Sequence, residues 1–457
     1  MAAAVAGVAR LAGASSAWLS CTIASRASKT SAAGGGNAPM AELRLGFLPA
    51  VVSGRVARAS WLRHLALLLA VLPLFFQTFH YMIDLPPAYA LSKVWPLLTL
   101  PLAVPALLWA RPAHAGLYLG LLAYGLGVAP LLAAIHLGSS LPEAAAATIR
   151  ILPLAYGLSV VGLLWLLQPA PAVIERAFLI LGAATLATLW ALWLTMPASA
   201  YRSDPTESQV FYRDIERGFR IVLMMGFALV ATFWMARRGL RQHSLLCALG
   251  VLASLATMLL IYKQRMVIAA PLVVLGLTCL RGLTPGVRLL ALLAGGLAGL
   301  AGLFWWSFAG APQTSDLLGG SLSVRLRSSQ LAWDFIADDP WRWLFGVGST
   351  TAYSAVTLAE ILGYRNFYLT DIGWLGVVTE FGVVGGGLIL AALLYTVLQA
   401  HRLAARSGDD FTGALADWSL LMLLVTAIYS PVYAPGEIAS LTALVWYLSR
   451  RMDGFGR

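Results

Sequence analysis

The sequence predicts an all-α polytopic membrane protein with about twelve transmembrane helices. Of its 457 residues, 60% are apolar and 11% are charged, and the mean hydropathy is +0.79. That composition leaves too little charged surface for a soluble chain of this length. Apolar runs of about 18 to 24 residues recur and match the ~30 Å thickness of the hydrocarbon layer. The runs are continuous, whereas the strands of a membrane β-barrel alternate apolar and polar residues.

Residues 1–60 are predicted to form a disordered or weakly structured cytoplasmic tail. The first 39 are rich in Ala, Ser and Gly and end in AGGGNAP just before Met40, a composition that cannot bury a core. Two interpretations remain open: Met40 is the working initiator, or the segment is a cytoplasmic tail. A cleaved signal peptide fits less well, because the apolar run over residues 11–23 is weak and interrupted by Ser.

Residues 61–457 are predicted to be one transmembrane domain. The eighth span is short, and the tenth is long enough for its first turns to project from the membrane. One long loop, residues 310–371, separates spans nine and ten and is predicted to contain short helices, and another loop covers residues 197–218. The predicted spans cover residues 63–82, 90–110, 115–136, 149–168, 174–196, 219–236, 244–262, 266–281, 287–309, 372–400, 413–430 and 436–450.

The distribution of Lys and Arg predicts the orientation of the spans. If both termini are cytoplasmic, that side holds 19 of the 31 basic residues, and it includes the short turns ARRGLRQH and RGLTPGVR. Short turns carry the most weight in the positive-inside rule, so both long loops are predicted to face the periplasm or exterior. The net charge of +11 is attributed to orientation and to contact with anionic membrane lipids. Nucleic-acid binding is not predicted, because the basic residues are scattered over short loops.

Several basic residues nevertheless fall on the outer side, where a cation at a span end is costly unless it snorkels or is paired. If the segment YRDIERGFR is helical, Arg213, Arg217 and Arg220 share one face. An interfacial helix with snorkelled arginines is the alternative. The outer basic residues include Arg202, Arg213, Arg217, Arg220, Lys263, Arg265, Arg325, Arg327, Arg342 and Arg365.

Lys263 and Arg265 lie in YKQRM, a turn too short to leave the membrane surface. Ionisable groups at membrane depth are usually functional, so the pair is predicted to face an anionic partner rather than to serve only as an anchor. Arginine binds phosphate oxygens with a planar pair of donors and stays charged. An outward-facing cluster of guanidinium groups therefore favours a phosphate-bearing lipid as ligand.

The least membrane-like stretch is residues 321–386, which is charged and Trp-rich between nearly uncharged spans. Loops longer than ~15 residues are uncommon without a function, although a solvated surface loop is the alternative. Motif residues in this stretch resemble the O-antigen ligase and polymerase family, over the C-terminal third of the chain. These residues are Arg325, Trp333, Pro340, Leu344 to Gly348, Glu380, Gly382 and Gly385.

The resemblance implies a membrane glycosyltransferase of the bacterial inner membrane that needs no metal and no cofactor. Its donor would be a glycan linked to undecaprenyl pyrophosphate, and its acceptor a second lipid-linked glycan or lipid A–core. A chain-length regulator protein would be a further partner. Fixed cations would lower the barrier, because negative charge develops on the departing pyrophosphate. The predicted pyrophosphate and glycan ligands are Arg213, Arg217, Arg220, Lys263, Arg325, Arg365 and Tyr364.

Three residues are predicted to act in catalysis: Arg265, Asp371 and Glu380. Ligases of the family carry His-Asn nine residues before the Glu of the last motif, whereas this chain has Asp371 followed by Ile372. Asp371 is therefore the candidate to accept the proton of the acceptor hydroxyl or to orient that hydroxyl. Its alternative role is the N-cap of the next span. Glu380 lies inside that span, and a structural pairing with Arg325 or Arg265 is favoured over acid catalysis.

The leading functional prediction is a polymerase that joins lipid-linked repeat units on the outer face of the membrane. The close alternative is an O-antigen ligase, which shares the donor and differs in the acceptor. Asp in place of the family's His favours the polymerase. A lipid-linked oligosaccharide transporter or flippase is more distant, because the sequence has no internal repeat and no paired mid-membrane spans interrupted by Gly or Pro.

Overall fold

A computed structural model gives the fold of residues 47–80, 82–203, 210–214, 217–282, 286–290, 294, 320–349, 357–365 and 367–454. The side chains of residues 47–58, 265, 266, 282, 320–322 and 433 lie outside the described part. The chain divides into two units, residues 1–59 and 60–457. The first is described only over residues 47–59, which are helical. The second contains the core and the candidate site.

Most of the described residues are helical. Helix α2 mixes α-helical, 3-10 and π turns, because Pro96, Pro101 and Pro105 lack the N–H that a regular ladder needs. The helices are α1 (Phe47–Phe75), α2 (Pro86–Ala110), α3 (Ala115–Leu137), α4 (Leu141–Leu167), α5 (Pro171–Thr195), α6 (Gly226–Gln242), α7 (Leu245–Tyr262), α8 (Arg265–Gly282), α9 (Gly320–Ala337), α10 (Pro340–Phe345), α11 (Leu358–Ile361), α12 (Gly373–Ser407), α13 (Asp410–Val425) and α14 (Pro435–Met452).

Within the described residues, six helices are long and apolar enough to cross a membrane: α2, α3, α4, α5, α7 and α12. Two shorter apolar segments lie in α1 and α8, at Ala59–Phe75 and Val267–Arg281. These helices confirm a helical, membrane-embedded protein, whereas the number of twelve spans stays a prediction. Most of the ninth predicted span, residues 287–309, lies outside the described residues.

The segment that carries Arg213, Arg217 and Arg220 forms a β-hairpin rather than a helix. Strand β1 (Phe211–Asp214) pairs antiparallel with β2 (Gly218–Ile221). The prediction of a shared helical face was therefore wrong, and the sixth predicted span begins in β2 and becomes helical only at Gly226. Aromatic residues favour a half-buried strand, and Gly218, with a φ of 70°, supplies a backbone conformation that suits a tight turn.

Helix α12 bends at Gly382, whose φ of 62° is left-handed. Two residues before the bend, the carbonyl oxygen of Glu380 accepts a hydrogen bond of 3.0 Å from the Gly348 N–H. A Cβ on Gly382 would lie 2.3 Å from the carbonyl oxygen of Leu344, so only glycine permits this approach. The two family-like segments, LFGVG and the start of α12, therefore meet in one backbone junction.

The described part of the predicted loop 310–371 contains α9, α10 and α11. Asp339 caps α10 by accepting a hydrogen bond of 2.9 Å from the Trp341 N–H, which satisfies a free donor of the first turn. A small hydrophobic cluster joins this region to α3. Its members include Ala133, Leu137, Ala332, Val347, Leu358, Phe367 and Ile372.

The main core, which is largely aliphatic, contains a group of packed aromatic side chains. Phe76 contacts Phe178, Phe227 and Trp418 with centroid distances of 5.4, 5.3 and 5.5 Å. Within a membrane such contacts stabilise through close packing, because lipid tails are as apolar as the side chains themselves. Trp418 also lines the cavity described below, so this core forms part of its wall.

A buried ionic cluster joins α6, α8 and α13. Asp417, with 1% of its side chain exposed, accepts hydrogen bonds from Nε and Nη2 of Arg237 at 2.6 and 2.7 Å. Arg281 and Thr278 add donors at 3.3 and 3.0 Å. A buried carboxylate needs such partners, because an unpaired one is strongly destabilising.

Candidate functional site

A cavity of about 620 Å³ opens where the β-hairpin meets the first turns of α6, α8 and α14. The turn before α12, the end of α13 and Arg325 of α9 complete its wall. Its volume is in the range of known small-molecule sites, ~300–1,000 Å³. Its polar lining comprises Tyr212, Asp214, Arg217, Arg220, Tyr262, Gln264, Arg325, Thr370, Asp371, Thr426, Tyr429, Ser430 and Glu437.

The hairpin contributes two guanidinium groups. Nη1 of Arg220 lies 3.8 Å from Oδ2 of Asp214, and the guanidinium carbon lies 4.6 Å from the ring centroid of its cross-strand neighbour Tyr212. The Arg217 N–H donates to Oδ1 of Asp214 at 3.2 Å. Asp214 thus holds the turn and one arginine together, while the Arg217 side chain forms no ion pair with another described residue.

Another part of the lining carries Arg325 and Asp371. Nη2 of Arg325 lies 3.8 Å from Oδ2 of Asp371 and donates to the Tyr429 hydroxyl at 3.3 Å. Its guanidinium carbon lies 5.2 Å from the centroid of the same ring. Gln264 donates to that hydroxyl at 3.2 Å. Tyr429 therefore positions an arginine that comes from a distant part of the chain.

In the described part of the lining, three arginines each have a buried donor without a partner. The Nε atoms of Arg217, Arg220 and Arg325 are buried and have no hydrogen-bond partner among the described residues. A buried donor without a partner costs roughly 1–3 kcal/mol, and native proteins contain few of them. Three guanidinium groups in the lining of one cavity favour an anionic ligand that accepts hydrogen bonds.

Helix ends add to the positive character of the cavity. Helices α6, α8 and α14 all begin beside it, and first-turn residues Gly226, Val267 and Glu437 are part of its lining. The N-terminus of a helix carries about half a positive charge and free N–H groups. Together with the arginines, these ends favour a negatively charged group.

The rest of the lining is apolar. It consists mainly of side chains from α6, α8, α13 and α14 and from the segments that precede α6 and α14. Such a surface suits a lipid chain or another apolar group, because polar atoms of a ligand would lose water there without replacement. The apolar members are Met224, Met225, Leu229, Val267, Pro271, Trp418, Leu421, Met422, Val425, Pro431, Ala434 and Ile438.

Asp371 does not cap the helix that follows it. It ends the short 3-10 turn Leu369–Asp371, and the N-cap of α12 is Ile372, which offers no side-chain hydrogen bond. The N-cap alternative was therefore wrong. Burial raises the pKa of the Asp371 carboxyl above its ordinary value, and the Arg325 guanidinium offsets part of that rise. The carboxyl is free of the backbone and faces the cavity.

Other predicted ligands lie away from the cavity lining. Arg213 occupies the face of the hairpin opposite to Arg220, because neighbouring strand residues alternate, and is exposed. Lys263 donates to the Arg217 carbonyl at 3.3 Å, so it supports the hairpin turn. Arg365 is exposed, and Tyr364 packs on the small hydrophobic cluster. The Arg265 backbone starts α8, and its side chain lies outside the described part.

Glu380 is buried and forms an ion pair with Arg150 of α4. Arg150 also donates to the Ser349 hydroxyl at 3.2 Å. The favoured structural role is consistent with this contact, but Arg325, one of the two predicted partners, pairs with Asp371 instead; the Arg265 side chain lies outside the described part. The sequence placed Arg150 at the start of a span and offered no signal that ties it to a helix far along the chain.

Glu437 was not predicted. It lies in the first turn of α14 and lines the cavity. An acidic residue inside an otherwise apolar span, in APGEIASL, is the signal that would have found it, since ionisable groups in such spans mark functional sites.

The sequence matches no protein-family model and no curated protein. The family resemblance therefore rests on the motif residues alone. In the part of the chain that the structure describes, no group of three or more His, Cys, Asp and Glu side chains is arranged to hold a metal ion.

Proposed function

We propose that this protein is a bacterial polysaccharide polymerase of the inner membrane. It transfers a glycan from an undecaprenyl-pyrophosphate donor to a hydroxyl of a second lipid-linked glycan, on the periplasmic face. The observation that carries the proposal is the cavity in which the described arginines Arg217, Arg220 and Arg325 line one part of the wall and apolar side chains line another.

The two halves of that lining suit the two halves of the donor. The guanidinium groups bind the pyrophosphate by charge-assisted hydrogen bonds, and the three helix N-termini add positive potential. Apolar side chains of α6, α8 and α13 accommodate the isoprenoid chain next to the membrane. Since the bond to the anomeric carbon breaks with charge moving onto the pyrophosphate, the same cations stabilise the transition state more than the bound donor.

Asp371 is the candidate that acts on the acceptor in this proposal. Its carboxyl lines the cavity next to Arg325, within reach of a sugar that enters from the loop side. It accepts the proton of the acceptor hydroxyl or holds that hydroxyl in line with the anomeric carbon. Arg265 stays a proposed ligand of the pyrophosphate on sequence grounds.

Deletion of the gene in its host, followed by electrophoresis of the surface glycan, tests the proposal. Loss of the polymer with single repeat units left on lipid A–core is the expected result. Polymer that accumulates on the lipid carrier while the core stays bare would identify a ligase, which shares the donor. An unchanged glycan pattern would contradict both. Re-expression of the wild-type chain is the control, and it restores the polymer.

A further inference from the structure

Three carboxyl groups line the cavity, and one of them stands apart. Asp214 lies 3.8 Å from Arg220, and Asp371 lies 3.8 Å from Arg325. Glu437 forms no ion pair and no side-chain hydrogen bond with any residue that the structure describes. Toward the residues that the structure describes its lone pairs are unused, whereas those of the other two face cations.

The position of Glu437 is fixed by its neighbours. The Gln77 side-chain oxygen accepts a hydrogen bond of 2.8 Å from the Gly436 N–H, and the Ser440 hydroxyl donates to the Phe75 carbonyl at 2.9 Å. Gln77 is buried and has a left-handed φ of 53°, a costly conformation that well-ordered surroundings must hold. These hydrogen bonds connect the start of α14 to the residues at the end of α1. They therefore fix the backbone that carries the Glu437 carboxyl before a ligand binds.

We propose that Glu437 takes the proton from the acceptor hydroxyl, which leaves Asp371 the second role given above, holding that hydroxyl in line with the anomeric carbon; the assignment rests on the glycosyl transfer proposed above. The hydroxyl oxygen forms a bond to the anomeric carbon, and the bond from that carbon to the pyrophosphate oxygen breaks. The bonding pair stays on the departing lipid pyrophosphate. The hydroxyl proton passes to the Glu437 carboxylate and then to water, which restores the carboxylate.

The surroundings of the carboxyl groups support this division of roles. A general base needs a free lone pair within about 3 Å of the proton that it accepts, and a carboxylate that faces a guanidinium has part of its lone pairs engaged. Two carboxyl groups in one site often differ in role because their environments differ.

The test uses purified full-length protein in liposomes, with lipid-linked repeat units extracted from the deletion strain. Glycan transfer and binding of undecaprenyl pyrophosphate are both measured for wild type, Glu437→Gln and Glu437→Ala. We expect Glu437→Gln to lower the rate of transfer at least 100-fold, the scale of general-base catalysis, with binding within about threefold of wild type. Formate, a small carboxylate that fits the space left by Glu437→Ala, is expected to restore transfer in proportion to its concentration.

Glu143→Gln is the matched control. Glu143 completes the capping box of α4, a role that glutamine also fills, and it is not part of the cavity lining; it should transfer at the wild-type rate. Near-normal transfer by Glu437→Gln, or a joint loss of transfer and binding without rescue by formate, would overturn the role of Glu437. An inactive wild type would instead overturn the proposed function itself.

Discussion

Nη2 of Arg325 and Oδ2 of Asp371 lie 3.8 Å apart in the wall of the cavity. Arg325 comes from α9 in the long loop, whereas Asp371 comes from the turn that leads into α12. The contact therefore brings the loop and the membrane helices together at the candidate site. Both residues keep part of their side chains exposed, 25% and 37%, so a ligand reaches either of them.

Replacement of Arg325 tests whether the loop supplies a ligand contact. Arg325→Ala should lower glycan transfer at least 100-fold, the usual loss when one donor to a developing charge is removed. Arg327→Ala is the control on the same helix, because Arg327 is exposed and its guanidinium bonds only Gln330 among the described residues. Transfer assays in liposomes measure both. Equal rates for the two variants would argue against a role of Arg325.

The two faces of the hairpin make a second comparison. Arg220→Ala should lower the affinity for undecaprenyl pyrophosphate, because Arg220 lines the cavity. Arg213→Ala should bind as wild type, because Arg213 is exposed on the other face. Equilibrium binding to detergent-solubilised protein separates these outcomes. If Arg213→Ala proved the weaker binder, the hairpin would bind its ligand through the opposite face.

Asp371 is expected to influence stability in a pH-dependent way. Its folded-state pKa is raised by burial, so the folded protein binds this proton more tightly than the unfolded chain does. Ionisation of Asp371 therefore destabilises the fold above the folded-state pKa, and this cost disappears as the pH falls below the unfolded value near 3.8. Asp371→Asn should unfold at the same temperature as wild type or a higher one at pH 7. Thermal unfolding at pH 7 and pH 4 measures the difference in unfolding temperature between Asp371→Asn and wild type, which should be smaller at pH 4. A markedly lower unfolding temperature of Asp371→Asn at pH 7 would show that the ionised carboxylate stabilises the fold instead.

The buried cluster around Asp417 should be structural. Asp417→Ala leaves Arg237 without its partner between α6 and α13, which costs about 3–5 kcal/mol for a buried pair. The exposed pair Arg406 and Asp453 is the matched control, and Asp453→Ala should cost at most about 1 kcal/mol. Unfolding in detergent compares the variants. If both variants lost a similar free energy of unfolding, burial would not determine how much these ion pairs contribute to stability.

Glycine at 382 is expected to be essential for the junction of loop and helix. Gly382→Ala forces a Cβ to within 2.3 Å of the Leu344 carbonyl oxygen at a left-handed φ, so it should lower stability and transfer together. Gly387→Ala lies on the same helix with nothing within 4 Å, and it should stabilise α12 by about 0.5–1 kcal/mol. Expression level and unfolding temperature report both effects. A stable, active Gly382→Ala protein would show that the junction tolerates a side chain.

Much of the architecture could be read from the order of residues alone. Apolar runs of membrane length, set apart by charged loops, predict helices because a backbone in lipid must satisfy its own hydrogen bonds. The sequence also predicted that Arg217, Arg220 and Arg325 are outer-side cations that bind an anionic ligand. The hairpin was missed, because charges spaced by three and four residues suit a helix while the aromatic residues between them suit a strand.

The tertiary structure decided which residues distant in sequence form ion pairs or line the same cavity. Glu380 pairs with Arg150 rather than with Arg325, which is nearer in sequence, and Glu437 reaches the cavity only because α14 starts beside α6. Residue types and hydropathy determined that this chain lies in a membrane and carries cations where they are costly. Helix packing decided which of those cations share a cavity, because side-chain direction depends on contacts that no local pattern encodes.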